Sequence, residues 1–214
     1  MDELDLLKKD WQNKEHNYPT LSYNEIYKMI HSKSSNIVKW IFIISILEFA
    51  LWTFLSFFLK DAESMERFRS YNMEGITLTL TIAGYAVLAY FFYLFFRNYK
   101  RISTTASIKN LMENILRTRR TVKQYVAFNL IFLVISTIVV LYIQLDQDQV
   151  MIAQAQEAAA NGEAFKYYAV IIITTIIGLA IVIGILLLFY WLIYGILLKR
   201  LNRNYRELKK IEQE

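Results

Sequence analysis

The most constraining feature of the sequence is the uneven division of Lys and Arg between the ends of its hydrophobic segments. Four apolar runs reach the roughly 20 residues that a membrane-spanning helix needs; they cover residues 40–59, 76–96, 125–145 and 168–198. When both termini and the middle loop are placed on one side, 20 of the 24 Lys and Arg residues lie there. The positive-inside rule then predicts that both termini face the cytoplasm.

The composition agrees with a helical integral membrane protein. Hydrophobic residues make up 56% of the chain, above the roughly 45–50% that is typical of soluble domains. The apolar runs are continuous and do not alternate in segments of about ten residues, as the strands of an outer-membrane barrel would. The predicted fold is therefore all-α: a polytopic bundle of four transmembrane helices with a small helical head at the N-terminus. No apolar core or cleavage site of a signal peptide precedes the first span, which we expect to insert by itself.

The segments outside the lipid are also predicted to be helical. Residues 1–36 form a cytoplasmic head, with a helix over 2–15 and a second helix behind a capping box made by Ser22 and Glu25. We expect Ser34 and Ser35 to loosen the join between this head and the first span. The head is too small for a core of its own, so we expect it to dock on other helices or on a partner.

The membrane domain, residues 37–200, is predicted to carry two further helical segments. The cytoplasmic loop over residues 98–123 is a basic amphipathic helix. The outer hairpin over residues 146–166 turns at Asn161 and Gly162. The fourth span continues into a helical tail, residues 201–214, with a short heptad seam.

Glu48 is the charged residue that lies well inside a predicted span. A charge at the centre of a spanning helix costs about 2.5–3.5 kcal/mol on insertion scales, so the residue is a functional candidate by default. The other spans offer no basic partner. We therefore expect a neutral carboxyl group, or one that is hydrogen-bonded to hydroxyls such as those of Ser136, Thr137, Thr174 or Thr175. Glu48 is either a proton or cation site or a polar bond between helices.

Small and aromatic residues give further candidates in the membrane. Thr174 with Gly178, and Ala180 with Gly184, form pairs four residues apart that would let another helix approach closely. The partner would be a helix of the same chain, a second copy or a foreign subunit. Trp40 and Trp191 fall near the cytoplasmic interface, where we expect them to act as anchors.

Apolar stripes on the cytoplasmic elements are the candidate surfaces for a protein partner. They recur at helical spacing in the head, in the basic loop helix and in the tail; their members are Leu4, Leu7, Trp11, Ile26, Ile30, Leu111, Ile115, Leu201 and Leu208. For the loop helix, the favoured interpretation is that it sets the topology and packs under the bundle; the alternatives are that it lies on anionic lipid or binds a partner helix.

The sequence offers little for catalysis. It has no cysteine and two histidines, His16 and His31, so we predict neither a metal site nor a cofactor. No phosphate-binding loop and no G-x-S-x-G motif is present. No proline interrupts the spans, which argues against the broken helices of secondary transporters. The basic charge is what membrane topology requires and does not indicate nucleic-acid binding.

The segments MDELDLLKKDW and LSYNEIYKMIHSKSSNIVKWIFIISILEF resemble a family of small four-span membrane proteins of flavobacteria and their relatives. The resemblance implies a location in the bacterial inner membrane. It also implies, as one alternative, an anti-sigma-like role. Some members carry the label beta-carotene oxygenase, which these residues do not support, because such enzymes hold iron with four histidines.

These observations favour a non-enzymatic inner-membrane regulator or accessory subunit. We expect it to bind a protein partner through the cytoplasmic elements or within the membrane, as part of a larger complex or a homo-oligomer. One alternative is sequestration of a soluble regulator such as a sigma factor at the membrane. Another is a small proton-coupled transporter or channel that uses Glu48.

Overall fold

The computed structural model describes residues 22–58, 74–105 and 107–213. These residues are helical and contain no β-strand. A π-helical turn, Trp191–Gly195, joins the last two helices. The α-helices are α1 (Tyr23–Phe58), α2 (Glu74–Ser103), α3 (Ile108–Gln147), α4 (Gln149–Ala160), α5 (Ala164–Tyr190) and α6 (Ile196–Gln213).

The described residues contain four helical stretches that are long and apolar enough to cross a membrane, as predicted. They are Tyr23–Leu55, Leu78–Ser103, Ile108–Gln147 and Ala164–Gln213. Each exceeds what a bilayer requires: the 40 residues of α3 extend over about 60 Å, against a hydrocarbon core of about 30 Å. A large part of every helix therefore lies beyond the apolar stretch.

The helices pack in an up-down-up-down bundle in which chain neighbours are spatial neighbours. Helix α2 contacts α1 and α3, and α6 closes the ring by contacting α1 and α3. The short connections from α2 to α3 and from α4 to α5 favour antiparallel neighbours. The end of the bundle that contains the start of α1, the end of α2, the start of α3 and all of α6 carries most of the described Lys and Arg residues, and we call it the basic end.

The buried residues of each helix recur at spacings of three and four. This is the pattern by which helices of a bundle interlock along a narrow seam. The seams consist of Ile30, Ser34, Val38, Ile41, Ser45 and Glu48 on α1; Phe91, Phe95, Asn98 and Ile102 on α2; Leu111, Ile115, Thr118, Val122 and Tyr125 on α3; and Tyr190, Tyr194, Leu201, Asn204 and Leu208 on the fourth helical stretch.

Polar pairs inside the seams lock neighbouring helices together at the basic end. The side-chain amide of Asn204 donates to the hydroxyl of Ser34 at 3.0 Å, and that of Asn98 donates to the hydroxyl of Thr121 at 3.1 Å. All four residues are buried. A buried polar group that lost its partner would cost about 1–3 kcal/mol, so these pairs favour one register of the helices.

The second helix of the predicted head and the loop helix are not separate elements in the structure. The capping box is confirmed, with the Ser22 backbone N–H donating to Glu25 at 2.8 Å, but α1 then runs from Tyr23 to Phe58 without a break. Ser34 does not loosen a join, because its hydroxyl accepts the bond from Asn204. The predicted helix over 2–15 lies outside the described residues.

The basic loop over residues 98–123 likewise belongs to the long helices. Helix α2 continues to Ser103, α3 begins at Ile108, and Ser107 caps it by accepting from the backbone N–H of Asn110. The predicted amphipathic stripe is present, but it belongs to the start of the spanning helix α3. Its apolar residues pack into the bundle, as the interpretation of a loop helix packed under the bundle predicts.

The turn predicted at the opposite end is confirmed. Helix α3 ends at Gln147, and the carboxylate of Asp148 then caps α4 by accepting from the backbone N–H of Val150 at 2.8 Å. Helix α4 stops at Asn161 and Gly162, and Gly162 has a φ of 74°, which glycine adopts without strain. Helices α4 and α5 pack together as a hairpin.

The first testable prediction concerns the core at the basic end. Leu201 is fully buried there among Ile30, Val38 and Leu111. Replacing it by alanine creates a cavity, so we expect Leu201→Ala to lower the free energy of unfolding by about 2–5 kcal/mol. Chemical unfolding of the purified protein in detergent measures the loss. The control is Leu188→Ala, because Leu188 is 57% exposed, and an equal loss in both variants would contradict the packing.

Candidate functional site

Glu48 lies on the seam of α1 at the level where the apolar parts of the four helices meet. Its side chain is buried, with 5% of the residue exposed. Ile41 and Ser45 precede it on the same seam and place it on the face of α1 that points into the bundle. The sequence predicted a polar residue inside the bundle here, and the structure has one.

Three phenol groups donate hydrogen bonds to the carboxyl group of Glu48. Tyr190 donates to Oε1 at 2.8 Å, while Tyr194 and Tyr125 donate to Oε2 at 3.0 and 3.1 Å. All three tyrosines are buried. We call these four residues the Glu48 cluster. Hydrogen bonds to a charged acceptor are stronger than neutral ones, so a carboxylate in this position would be well solvated by the protein.

The partners of Glu48 differ from the hydroxyls that the sequence suggested. Ser136 Oγ is buried and has no hydrogen-bond partner within the described part of the chain, and the hydroxyl of Thr137 donates to the backbone carbonyl of Leu133. Thr174 is exposed and Thr175 half-buried on α5. Tyrosine phenols bind Glu48 in place of the Ser and Thr hydroxyls because a tyrosine side chain is long enough to reach the carboxyl group across the bundle axis.

An aromatic shell surrounds the Glu48 cluster on its basic side. The ring of Tyr125 makes edge contacts with Phe91 and Phe95, at centroid distances of 5.5 and 5.4 Å. Phe95, Ile41 and Val122 are at most 1% exposed. Edge-on aromatic packing of this kind adds about 0.5–1.5 kcal/mol per pair. The shell fixes the ring of Tyr125 and fills the bundle between Glu48 and the basic end.

The π-helical turn lies directly at this site. It runs from Trp191 to Gly195 and contains Tyr194, while Tyr190 is the residue before it. Such turns are rare and are frequently found at functional sites. Here the wider turn occurs where two phenols of one helix converge on a single carboxyl group. The turn also marks the change from the apolar α5 to the basic α6.

The predicted packing motif of the fourth span makes no close contact with the described part of the chain. Thr174, Gly178, Ala180 and Gly184 are all exposed, and the space beside Gly178 and Gly184 is open for at least 4 Å. Tyr190 is the buried residue of α5. These residues therefore do not pack against the described helices, because the seam of this helix starts only at the Glu48 cluster. Their packing against a second copy or a foreign subunit stays a prediction.

The predicted interface anchors are exposed. Trp40 is 50% and Trp191 69% exposed. They lie on different helices, near the level at which apolar helix surfaces give way to the basic end. Their exposure leaves both indoles free to contact lipid, and their role as anchors stays a prediction.

Most of the apolar residues proposed to bind a partner are used inside the bundle. Six of the nine belong to the core of the basic end or pack against it, and three lie outside the described residues. The first group is Ile26, Ile30, Leu111, Ile115, Leu201 and Leu208; the second is Leu4, Leu7 and Trp11. The first group therefore cannot form an apolar docking surface while the bundle is folded.

The outer surface of the basic end is strongly cationic instead. Fourteen Lys and Arg residues are exposed on residues 22–39, 97–105, 107–123 and 199–213, against four exposed glutamates. Among the described residues, two of the fourteen pair with a glutamate: Arg117 with Glu113 at 3.2 Å and Arg203 with Glu207 at 3.8 Å. Such exposed pairs contribute little, so the surface keeps most of its positive charge.

Comparison with known proteins identifies a family without giving an activity. The family described as a domain of unknown function, DUF8845, matches residues 24–213, and the chain belongs to it. The match spans the whole described bundle, from the start of α1 to the end of α6. No curated protein and no solved structure shows significant similarity to the chain.

The second testable prediction concerns the bond between Tyr194 and Glu48. Tyr194→Phe removes one donor, and we expect it to lower the free energy of unfolding by about 1–2 kcal/mol. In a Glu48→Leu background the phenol has no acceptor, so the same change should cost close to nothing. Unfolding of the four proteins in detergent gives this double-mutant cycle.

The control for this cycle is Tyr142→Phe, because Tyr142 is 71% exposed. We expect its effect to stay within about 0.5 kcal/mol in both backgrounds. A cost for Tyr194→Phe that is the same with and without Glu48 would show that the bond does not hold the helices together.

Proposed function

We propose that this member of the DUF8845 family is a non-enzymatic regulator or accessory subunit of the bacterial inner membrane. In this proposal the basic end faces the cytoplasm and binds a protein partner that presents an acidic surface. The observation that carries it is the arrangement of the basic end: its apolar stripes pack in a core, and on the described outer surface exposed Lys and Arg residues outnumber exposed glutamates.

The length of the helices supports a role outside the lipid. Orienting a membrane protein requires only a few Lys and Arg residues in short loops. Here the helices extend well past their apolar stretches and pack into a second core around Leu111, Ile115 and Leu201. A folded bundle of this kind presents its charges at fixed positions, and electrostatic complementarity then gives both speed and selectivity of binding.

The positive charge of the basic end favours an acidic partner. Exposed cations that lie within one Debye length of each other, about 8 Å at physiological ionic strength, add their attraction for an acidic group. On α6 these include Arg206, Lys209 and Lys210, which form no ion pair with any described residue. Membrane sequestration of a soluble regulator, including an anti-sigma-like role, is one form of this proposal. The identity of the partner decides between that form and a subunit of a larger complex.

Proton-coupled transport through Glu48 has less support. A transport path would have to continue from Glu48 to the basic end. Ile41, Phe95 and Val122 fill that part of the bundle and are at most 1% exposed. Close-packed side chains of this kind leave no room for water or ions.

The third testable prediction concerns orientation. The chain has no cysteine, so a single introduced thiol is a unique label. We expect Asn161→Cys, at the exposed hairpin turn, to react with a membrane-impermeant maleimide in intact spheroplasts. Glu212→Cys, exposed near the end of α6, should react only after permeabilisation. The reverse pattern would place the basic end outside the cell and contradict the proposal.

The fourth testable prediction concerns the partner. Protein tagged at its C-terminus and extracted from native membranes in a mild detergent should retain a stoichiometric protein, which mass spectrometry identifies. We expect the triple variant Arg206→Gln, Lys209→Gln, Lys210→Gln to retain about tenfold less of it, since three attractive charges are lost.

The control is Lys166→Gln, which removes an exposed cation near the start of α5, at the end of the bundle opposite the basic end. It should retain the partner in full. The thiol labels described above verify that the triple variant keeps its orientation. Recovery of a clean homo-oligomer from native membranes, or equal retention by the triple variant, would contradict binding through the basic surface.

A further inference from the structure

A cavity lies against the Glu48 cluster on the side away from the basic end. Its volume is about 400 Å³, within the range of small-molecule sites. Glu48, Tyr125 and Tyr190 form its floor, and its walls come from α1, α2, α3 and α5. It exists because α5 leaves the bundle above Tyr190, so that the fourth wall is only loosely packed.

The walls of the cavity are apolar and largely aromatic. Phe49 and Trp52 line it from α1, Tyr85 from α2 and Phe132 from α3. Val182 and Leu186 close it from α5. Such a lining removes a ligand's apolar body from water, and the faces of the aromatic rings also attract a cation.

The floor keeps unused hydrogen-bonding capacity. A carboxylate offers about four lone-pair sites. Two donors occupy Oε2, whereas Oε1 accepts only the 2.8 Å bond from Tyr190. Oε1 can therefore accept one more hydrogen. Ser136 Oγ, on the cavity wall, is buried and has no partner among the described residues.

A negative charge on Glu48 would have no cationic partner among the described residues. Three neutral phenols hold its carboxyl group, and no basic side chain of the described residues forms an ion pair with it. A cation within about 4–6 Å favours the charged form of a carboxyl group. The cavity thus combines an acceptor with a spare site, a carboxyl group without a cationic partner among the described residues, and aromatic walls.

We propose that this cavity binds a lipophilic ammonium ion, an amine of low molecular weight with an apolar body. Its N–H donates to Oε1 of Glu48, and its body lies between Phe49, Trp52 and Phe132. A neutral alcohol of the same shape would gain the apolar contacts without the ion pair, and a carboxylic acid would be repelled. The site is separate from the basic surface, so this inference stands or falls independently of the proposed function.

The test uses octylamine, which is protonated at neutral pH as a Lys side chain is, and octanol as the uncharged match. Binding of radiolabelled octylamine is measured on the full chain in lipid nanodiscs, with empty nanodiscs to subtract partition into lipid. We expect saturable binding of about one octylamine per chain. Octanol should compete at least about tenfold more weakly, because it lacks the ion pair.

Three variants assign the site. Glu48→Gln removes the charge, and Ser136→Phe fills the cavity while leaving the carboxyl group in place; both should raise the dissociation constant about tenfold or more. The matched control is Tyr142→Phe, because Tyr142 lies on α3 with 71% of the residue exposed and is not part of the cavity lining. It should bind octylamine within about threefold of the wild type.

Several results would overturn the proposal. Binding that never exceeds partition into empty nanodiscs would do so, as would octanol competing as well as octylamine. Equal affinity of Glu48→Gln and the wild type would remove the role of the charge. If Glu48→Gln does not fold, Ser136→Phe and the octanol competition still decide the outcome.

Discussion

The carboxyl group of Glu48 sets where three helical segments meet. It takes one phenol from α3, one from the end of α5 and one from the π-helical turn. A carboxyl group in an apolar bundle is costly unless its acceptor sites are filled. Sliding α3 or the fourth helical stretch by one turn would move a phenol away from the carboxyl group by about 5.4 Å. The cluster therefore selects one register among the many that apolar surfaces would tolerate.

The other polar residues of the seams repeat this logic toward the basic end. Asn98 with Thr121 joins α2 to α3, and Asn204 with Ser34 joins α6 to α1. Apolar packing supplies most of the stabilisation but little selectivity, since Ile, Leu and Val exchange at modest cost. A buried polar group at a seam position fixes alignment at some expense in stability. Buried polar contacts of this kind occur at successive positions along the bundle axis.

The sequence predicted the architecture well where hydropathy and turn chemistry are local. The four spanning helices, the capping box at Ser22 and the turn at Asn161 and Gly162 follow from residues that are adjacent in the chain. The seams could not be read in the same way, because inside an apolar run every position looks buried and the 4-3 spacing disappears. It was visible only in the polar segments, from Ile26 to Ile30, from Leu111 to Ile115 and from Leu201 to Leu208.

The candidate site shows the same limit. Glu48 stands out because it is the one acidic residue in an apolar run, so the sequence could find it. Its partners could not be found, since Tyr125, Tyr190 and Tyr194 count as apolar residues in a hydropathy reading. A signal existed: Tyr190 and Tyr194 are four residues apart and share a helix face. The cavity could not be predicted from the sequence, because it depends on how far α5 separates from the other helices.

One continuous helical stretch, Ala164–Gln213, connects the cavity with the basic surface. It supplies the cavity wall at Leu186, two phenols of the Glu48 cluster, and the seam of the basic end from Leu201 onward. A molecule in the cavity can influence that surface only through a difference in its contacts with two conformations. If it uses the spare site on Oε1, Tyr190 keeps its bond and the π-helical turn is undisturbed. If it displaces Tyr190 from Oε1, the phenol loses its acceptor beside the turn, and α6 is the element that follows. Which hydrogen bond the occupant takes therefore determines whether binding in the cavity reaches the basic end.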